Sequence, residues 1–372
     1  MSRWAWANVD ASAIEHNVRA LADGSSSAWP VQVWAVVKAN GYGHGAVTAA
    51  RAALAGGASG LCVALVQEGV QLRQAGIEAP ILVLSEQPHN ELPSAIEHGL
   101  RLTVYRPEYL AALEAIDATD VPVHMKIDTG MHRVGARPAD AVALADAVSQ
   151  SPAAWLEGVF THLAVADEAD DPFTRTQLDR FDAVLDDLSA TGHRPLLVHA
   201  ANSAGAIAHP RARYSMVRPG IAIYGISPGG GVDRMVEELG LRPAMSLHAR
   251  VSMVKRVSAG DRISYGLRHT FDADTTVATV PIGYADGVPR RLWNCGGEVL
   301  IRGARRPIVG VITMDQLMVD IGDDIVEVGD DVVLLGHQGA ERITATEWAN
   351  ALGTIAYEIV CGISARVDRR VT

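Results

Sequence analysis

The stretch VWAVVKANGYGHGAVTAARAALAGGASGLCVAL, residues 33–65, sets the pattern of the first half of the chain. Its apolar run Val33–Lys38 predicts a strand, Val47–Ala55 has a helical pattern, and Leu61–Leu65 predicts the next strand. Because near-continuous apolar strands joined by helices are typical of covered parallel sheets, the stretch predicts a parallel sheet buried under helices.

The same alternation continues to about residue 226. Further strands are predicted at Ile81–Leu84, Arg101–Tyr105, Pro122–Ile127, Leu156–Phe160, Leu196–His199, and a final pair, Met216–Val217 and Ile221–Tyr224. Further helices are predicted at Gln67–Gln74, Glu108–Ile116, Ala139–Val148 and Phe173–Leu188. About eight such units predict a (β/α)8 TIM-type barrel over residues 11–235. A doubly wound open sheet is the alternative, although it usually has fewer strands.

The pattern changes after Gly229–Gly231. Residues Met245–Met253 alternate apolar and polar side chains, which is the period of a half-buried strand. Short β-like runs follow, with one helical segment, at Thr276–Pro281, Glu298–Ile301, Val309–Thr313, Leu317–Ile321, Asp331–Leu335 and the helix Thr346–Leu352. These runs predict a mostly-β C-terminal domain over residues 236–372, with residues 1–10 as an N-terminal strand packing on it. The predicted fold class is α/β.

Composition excludes several classes of protein. The chain has 372 residues and a net charge of −11, which disfavours nucleic-acid binding. Its 48% apolar and 20% charged residues exclude wholesale disorder. No uncharged apolar run reaches membrane-helix length, and Asp10 and Glu15 interrupt any signal peptide, so we expect a cytoplasmic protein without membrane contact. Cys62, Cys295 and Cys361 form neither a disulfide framework nor a zinc motif, so no metal is expected.

Polar residues follow several predicted barrel strands, at the rim where barrels carry their function. These residues are Lys38, Lys126, Thr161-His162, Asn202-Ser203 and Arg218-Pro219-Gly220. Lys38 is either a solvated strand end or a desolvated lysine able to form a Schiff base. Ser203 and Gly220-Ile221 suit a phosphate, or are ordinary caps. A lysine facing a phosphate cradle suggests pyridoxal 5'-phosphate.

Several longer motifs of the chain resemble those of one known family. The segment Ala35–Gly45 (AVVKANGYGHG) resembles the cofactor-attachment motif of the alanine racemase family. Matching motifs follow in order across essentially the whole chain: Lys126–Gly135, Thr161–Ala164, Arg218–Ile221, Ser264–Gly266, Gly283–Gly287, Met314–Gln316 and Thr354–Glu358. The chain departs from the family pattern at Gly41, Thr313 and Ala356, where alanine, cysteine and proline are common.

The resemblance implies roles for individual residues. Lys38 would bind the cofactor covalently and act as a base on one face of the substrate carbon, with Tyr265 as the base on the other face. Arg218 would face the pyridine nitrogen. The remaining cofactor-binding residues implied are Tyr42, His162, Ser203, Gly220, Ile221 and Tyr357.

The substrate side is implied in the same way. Arg133 and the Met314 backbone would hold the substrate carboxylate, and Lys126 would be carbamylated. Tyr284 and Asp315 would form a narrow gate to the site.

The resemblance further implies a homodimer in which the C-terminal domain completes the partner subunit's site. The expected reaction interconverts L-alanine and D-alanine and supplies D-alanine for peptidoglycan of the cell wall. A basic amino acid decarboxylase, a non-catalytic carrier of the cofactor, and a racemase preferring serine or lysine are the alternatives. Arg218 argues against the decarboxylase, and the β domain argues against the carrier.

Overall fold

The computed structural model describes residues 3–23 and 31–372. These residues form two compact units. The barrel unit comprises Ser12–Gly41 and Ala46–Arg242, and the β unit comprises Met1–Ala11, Tyr42–Gly45 and Pro243–Thr372, so far as these ranges are described. Strands and helices are numbered along the chain, so that strand β1 and helix α1 lie near its beginning.

The described part of the barrel unit contains eight parallel strands. They are β2 (Gln32–Val36), β3 (Gly60–Val63), β4 (Ile81–Val83), β5 (Leu102–Val104), β6 (Val121–Lys126), β7 (Ala154–Phe160), β8 (Leu197–His199) and β9 (Met216–Val217). They pair in the orders β4-β3-β2-β9 and β5-β6-β7-β8. A parallel bridge from Leu82 to Arg101 connects β4 to the β5 side, and Ser215 N–H donates to Val198 O at 3.1 Å between β8 and β9. The predicted barrel is confirmed, and the open doubly wound sheet is not found.

Helix α1 precedes the first barrel strand, and further helices alternate with the strands. They are α1 (Ala11–Asp23), α2 (Ala46–Ala55), α3 (Val66–Gln74), α4 (Leu92–Glu97), α5 (Pro107–Glu114), α6 (Ala141–Gln150), α7 (Phe173–Ala190), α8 (Ser203–Ala208) and α9 (Asp233–Glu238). The predicted strand at Ile221–Tyr224 is wrong, because these four buried residues form a 3₁₀ helix that ends at left-handed Gly225 (φ 73°). Periodicity does not separate strand from helix in so short an apolar run.

In the β unit, the residues that the structure describes form the remaining strands and two α-helices. They are β1 (Ala5–Val9), β10 (Met245–Arg250), β11 (Met253–Val257), β12 (Arg262–Ile263), β13 (His269–Thr270), β14 (Thr275–Val280), β15 (Glu298–Ile301), β16 (Ala304–Pro307), β17 (Leu317–Gly322), β18 (Asp331–Gln338), β19 (Glu341–Ile343), β20 (Asp368–Val371), α10 (Ala345–Leu352) and α11 (Ala356–Gly362). The main sheet has the order β16-β15-β18-β10-β1-β20, and β19 pairs with β18. Strand β1 is antiparallel to β10 and parallel to β20.

Two strand predictions in the β unit are wrong. Residues Met245–Met253 do not form one strand, because the chain leaves the main sheet after Arg250 and β11 joins the separate sheet β11-β14-β17. Residues Val309–Thr313 form no strand, because Gly310 adopts a left-handed φ of 69° and turns the chain. Among the described residues, no helix has both the length and the apolar character needed to cross a membrane.

Candidate active site

A left-handed turn follows the first barrel strand and begins at Lys38. Ala39, Asn40 and Gly41 have φ values of 52°, 53° and 62°. A left-handed conformation costs a non-glycine residue roughly 1–2 kcal/mol. Two side chains hold the turn: Glu68 accepts a hydrogen bond from Ala39 N–H at 2.6 Å, and Asn40 accepts one from Ala46 N–H at 2.9 Å. Strained backbone of this kind is typical of functional sites, and here it adjoins Lys38.

Four cations lie at the barrel rim with His162: Lys38, Lys126, Arg133 and Arg218. Lys126 ends β6 and is only 6% exposed. Burial, together with the charges of Arg218, Arg133 and Lys38, lowers the pKa of Lys126 to about 8. Burial also lowers the pKa of His162 well below its usual value, together with the charges of the same four cations. The structure therefore brings Lys38, Arg133 and Arg218 within electrostatic reach of both Lys126 and His162, and His162 is kept neutral.

Arg218 is a buried cation held by neutral groups. Its guanidinium lies 2.5 Å from His199 Nδ1 and donates to the carbonyl oxygens of Thr161 at 2.9 Å and Ala200 at 3.1 Å. Among the described residues, no carboxylate pairs with it. Burial lowers the pKa of Arg218 to about 10. Because a buried unpaired cation is costly, Arg218 favours an anionic or strongly hydrogen-bond-accepting ligand at this rim.

A chain of buried side chains runs from Arg218 into the barrel. Arginine can only donate, so His199 Nδ1 accepts, and His199 Nε2–H donates to His124 Nδ1 at 2.8 Å. His124 Nε2–H in turn donates to Glu157 at 3.0 Å, and Glu157 accepts from Arg101 at 2.8 Å. Burial is the first cause of the lowered pKa of both histidines, which are therefore neutral. Sequence reasoning missed this row of hydrogen-bonded side chains, although the histidines His124 and His199 within two apolar strands were a signal for it.

A serine hydroxyl joins the turns after the last two barrel strands. Ser203 begins α8 after β8, and its Oγ accepts hydrogen bonds from Gly220 N–H at 2.8 Å and Ala222 N–H at 3.3 Å. The predicted cradle residues Ser203, Gly220 and Ile221 thus lie together and are buried. Because its oxygen accepts these two bonds, the Ser203 hydroxyl can donate its own hydrogen, which is suited to bind a phosphate.

Arg133 belongs to a loop that is tied back onto β6. Ala136 N–H donates to Lys126 O, and Asp128 N–H donates to Ala136 O, both at 2.8 Å. The Asp128 carboxylate also accepts hydrogen bonds from two N–H groups of the loop, those of Gly130 and His132, each at 3.0 Å. The exposed Arg133 side chain is therefore presented on an ordered loop beside Lys126.

Within the β unit, Tyr42 and Tyr357 lie together. Their ring centroids are 6.0 Å apart, and Tyr42 is 8% exposed. The adjoining Gly43 has a φ of 83°, and a Cβ there would collide with the carbonyl oxygen of Val360. Arg369 Nε–H donates to Gly43 O at 3.0 Å. Only glycine therefore fits beside this tyrosine pair.

The other predicted residues of the β unit are exposed. Tyr265 is 73% exposed at the start of a 3₁₀ turn, after Ser264 with a φ of 65°. Met314 and Tyr284 are 52% and 41% exposed. Two backbone hydrogen bonds join the segments that carry them, from Tyr284 N–H to Thr313 O at 3.0 Å and from Ala285 N–H to Met314 O at 3.1 Å.

Family models, curated relatives and solved structures that match this chain all come from one family. The family model for the N-terminal domain of alanine racemase matches residues 9–228, and that for the C-terminal domain matches residues 244–371. An alanine racemase of Symbiobacterium thermophilum is 50% identical over 368 residues, which cover 98% of this chain and 96% of the relative. One of Thermobifida fusca is 46% identical over 380 residues, covering 100% and 99% of the two chains. The crystal structure of alanine racemase from E. faecalis has a TM-score of 0.93 at 40% identity, covering 100% of this chain and 98% of that one.

Proposed function

The chain belongs to the alanine racemase family, and we propose that it interconverts L-alanine and D-alanine with pyridoxal 5'-phosphate as its cofactor and Lys38 and Tyr265 as its two bases. By reaction class it is a racemase, an isomerase. The observation that carries the proposal is the 50% identity to an alanine racemase over 98% of this chain.

The barrel rim fits the proposed cofactor. Lys38 offers an amine for its aldehyde, and the buried Arg218, paired with no described carboxylate, offers donors to its pyridine nitrogen. Ser203, Gly220 and Ile221 would hold its phosphate, and the resemblance adds Tyr42, Tyr357 and His162. When bound, the cofactor supplies an electron sink that acidifies the α-proton of an amino acid. Since Arg218 only donates, it would keep the pyridine nitrogen unprotonated and would make this sink weaker.

Racemisation needs a base on each face of the α-carbon. One base takes the α-proton as the C–H bond breaks, and the other returns a proton to the opposite face, so no proton is gained or lost overall. We assign Lys38 to one face and the Tyr265 hydroxyl to the other. The carboxylate of the substrate would be bound by Arg133, whose guanidinium matches two oxygens, and by the backbone N–H of Met314.

Lys126 would act as a carbamate. Its lowered pKa of about 8 leaves part of the amine neutral near that pH, and only a neutral amine adds to CO2. The nitrogen bonds to the carbon of CO2 and one proton is released. The resulting anion would orient Arg133, whereas an ammonium group at the same place would repel it.

The second base would come from the partner subunit of a homodimer. Tyr265 is 73% exposed in the β unit, and the rim side chains beside Lys38 are cations and a neutral histidine. A two-fold interface would build two identical sites from reciprocal contacts. A cytoplasmic role in supplying D-alanine for peptidoglycan follows from the family resemblance.

Chiral analysis of the products tests the function. The purified protein, supplied with pyridoxal 5'-phosphate, is incubated separately with L-alanine, L-serine and L-lysine. We expect D-alanine to form, approaching an equal mixture of enantiomers, and to form faster than D-serine or D-lysine. A faster reaction with serine or lysine would show that alanine is not the preferred substrate. Release of CO2 without any D-amino acid would show that the protein is a decarboxylase and not a racemase.

A further inference from the structure

Asp286 is a fully buried carboxylate in the β unit, on the 3₁₀ turn Tyr284–Asp286. Arg3 binds it through both ends of its guanidinium, from Nη1 to Oδ1 at 2.6 Å and from Nη2 to Oδ2 at 2.5 Å. Gly283 N–H donates to the same carboxylate at 3.0 Å. Burial alone would raise the pKa of Asp286, but the hydrogen bonds from Arg3 and Gly283 outweigh it, so the pKa lies below its usual value. A residue near the beginning of the chain thus neutralises a carboxylate 283 positions away.

Arg366 extends this contact to the predicted substrate side. Its Nε lies 3.4 Å from Asp286 Oδ1, and its Nη2 lies 2.5 Å from Asp315 Oδ1. Asp315 directly follows Met314. We call the four side chains Arg3, Asp286, Arg366 and Asp315 the arginine clamp. It connects the fully buried Asp286 to the exposed segment 313–315.

The backbone reinforces the same connection. Tyr284 and Ala285 donate hydrogen bonds to the carbonyl oxygens of Thr313 and Met314. A Cβ on Gly283 would collide with both of these oxygens, so the turn is pressed directly against segment 313–315. Any shift of the turn that carries Asp286 therefore moves the backbone that carries Met314.

We propose that Arg3 is a positioning residue for substrate binding, acting through Asp286 and Arg366 to hold segment 313–315. This inference rests on the proposed function, in which the Met314 backbone binds the substrate carboxylate. Without Arg3, the buried Asp286 carboxylate would keep only one guanidinium donor, Arg366, whose present contact with it is long. Because a buried carboxylate needs donors, Arg366 would move towards Asp286 and away from Asp315. Segment 313–315 would then lose its side-chain anchor.

The kinetic test uses the holoenzyme with Arg3→Ala, Arg3→Lys and the control Arg302→Ala. Arg302 makes an exposed ion pair with Asp330 at 2.7 Å in the same unit. For Arg3→Ala we expect KM for alanine to rise about tenfold and kcat to stay within about twofold, because a carboxylate contact made equally in ground and transition states is weakened. Arg3→Lys keeps the charge but loses the two-point contact, so its KM should be intermediate. The control should match the wild type, and the visible absorbance of the bound cofactor should be unchanged in all three.

Hydrogen–deuterium exchange provides a readout that needs no activity. Peptides covering 282–288 and 311–318 should exchange faster in Arg3→Ala than in the wild type or Arg302→Ala. Unchanged exchange, or a KM equal to that of the wild type, would overturn the positioning role; if Arg3→Ala does not fold, Arg3→Lys decides by the same two measurements. A wild type that forms no D-alanine would refute the proposed function instead, and the exchange result would still decide whether Arg3 holds segment 313–315.

Discussion

The barrel rim and the exposed segments of the β unit place functional residues in opposite ways. On the rim, Lys126 and Arg218 are 6% and 3% exposed, and hydrogen bonds within the same unit hold Arg218. In the β unit, Tyr265 and Met314 are 73% and 52% exposed. The difference indicates that the rim side chains are ordered within their own unit, and we propose that the exposed β-unit residues act by meeting a partner subunit. A shared site between two subunits accounts for both.

The largest expected effects separate cofactor binding from proton transfer. Lys38→Ala should lose racemisation and also the visible absorbance of the bound cofactor, because the amine for covalent attachment is gone. Tyr265→Phe should keep that absorbance and lose about 10²–10⁴-fold in kcat, the usual contribution of a general acid–base group. Absorbance spectra and chiral product assays on the two purified variants check this.

If the two variants showed each other's phenotypes, the proposed division of roles between the barrel rim and the β unit would be wrong. A Tyr265→Phe protein without cofactor absorbance would place Tyr265 in cofactor binding. A Lys38→Ala protein that keeps both its absorbance and its activity would remove Lys38 from the mechanism.

A smaller effect is expected from the rim lysine and depends on pH. Since the pKa of Lys126 is lowered to about 8, its amine is mostly protonated below that pH and mostly neutral above it. Added bicarbonate should therefore lower KM for alanine above pH 8 and have little effect near pH 6.5, with a change of roughly severalfold because it acts through the orientation of Arg133. Lys126→Gln, which cannot be carbamylated, should have a raised KM and no response to bicarbonate.

Initial rates at several alanine concentrations, with and without bicarbonate at each pH, provide the measurement. An equal response in Lys126→Gln and the wild type would show that Lys126 is not carbamylated. It would then be one more cation of the rim.

Most of the fold, and most of the barrel rim, could be predicted from local sequence patterns. The barrel strands were predictable because each is a short apolar run followed by a helix, and Lys38, Lys126, Ser203 and Arg218 follow from where those runs end. The left-handed turn after Lys38 was not predictable, because Ala39 and Asn40 are not glycines.

Contacts that depend on the tertiary structure could not be predicted from the sequence. The His199–His124–Glu157 contacts depend on the register of β6, β7 and β8, and these near-continuous apolar strands lack the clear alternation that would specify a register. The pairing of Arg3 with Asp286 joins residues 283 positions apart, with no local signal at either end. The assignment of Tyr265 rests on the family resemblance of its Ser-Tyr-Gly context, since spacing alone predicts only a tyrosine in a strand, whereas the structure has it in a 3₁₀ turn.

The central claim is that each site combines Lys38 of one chain with Tyr265 of the partner subunit, and mixed dimers test it most directly. Lys38→Ala and Tyr265→Ala variants with different affinity tags are co-expressed, and dimers carrying both tags are isolated alongside each single variant. A mixed dimer has one site lacking both groups and one site with both intact. Random reassortment makes half of the dimers mixed, so we predict recovery to about a quarter of wild-type racemisation in the unfractionated mixture and about half in the purified mixed dimer. Activity that stays at the level of the single variants, with mixed dimers confirmed by both tags, would contradict the shared site.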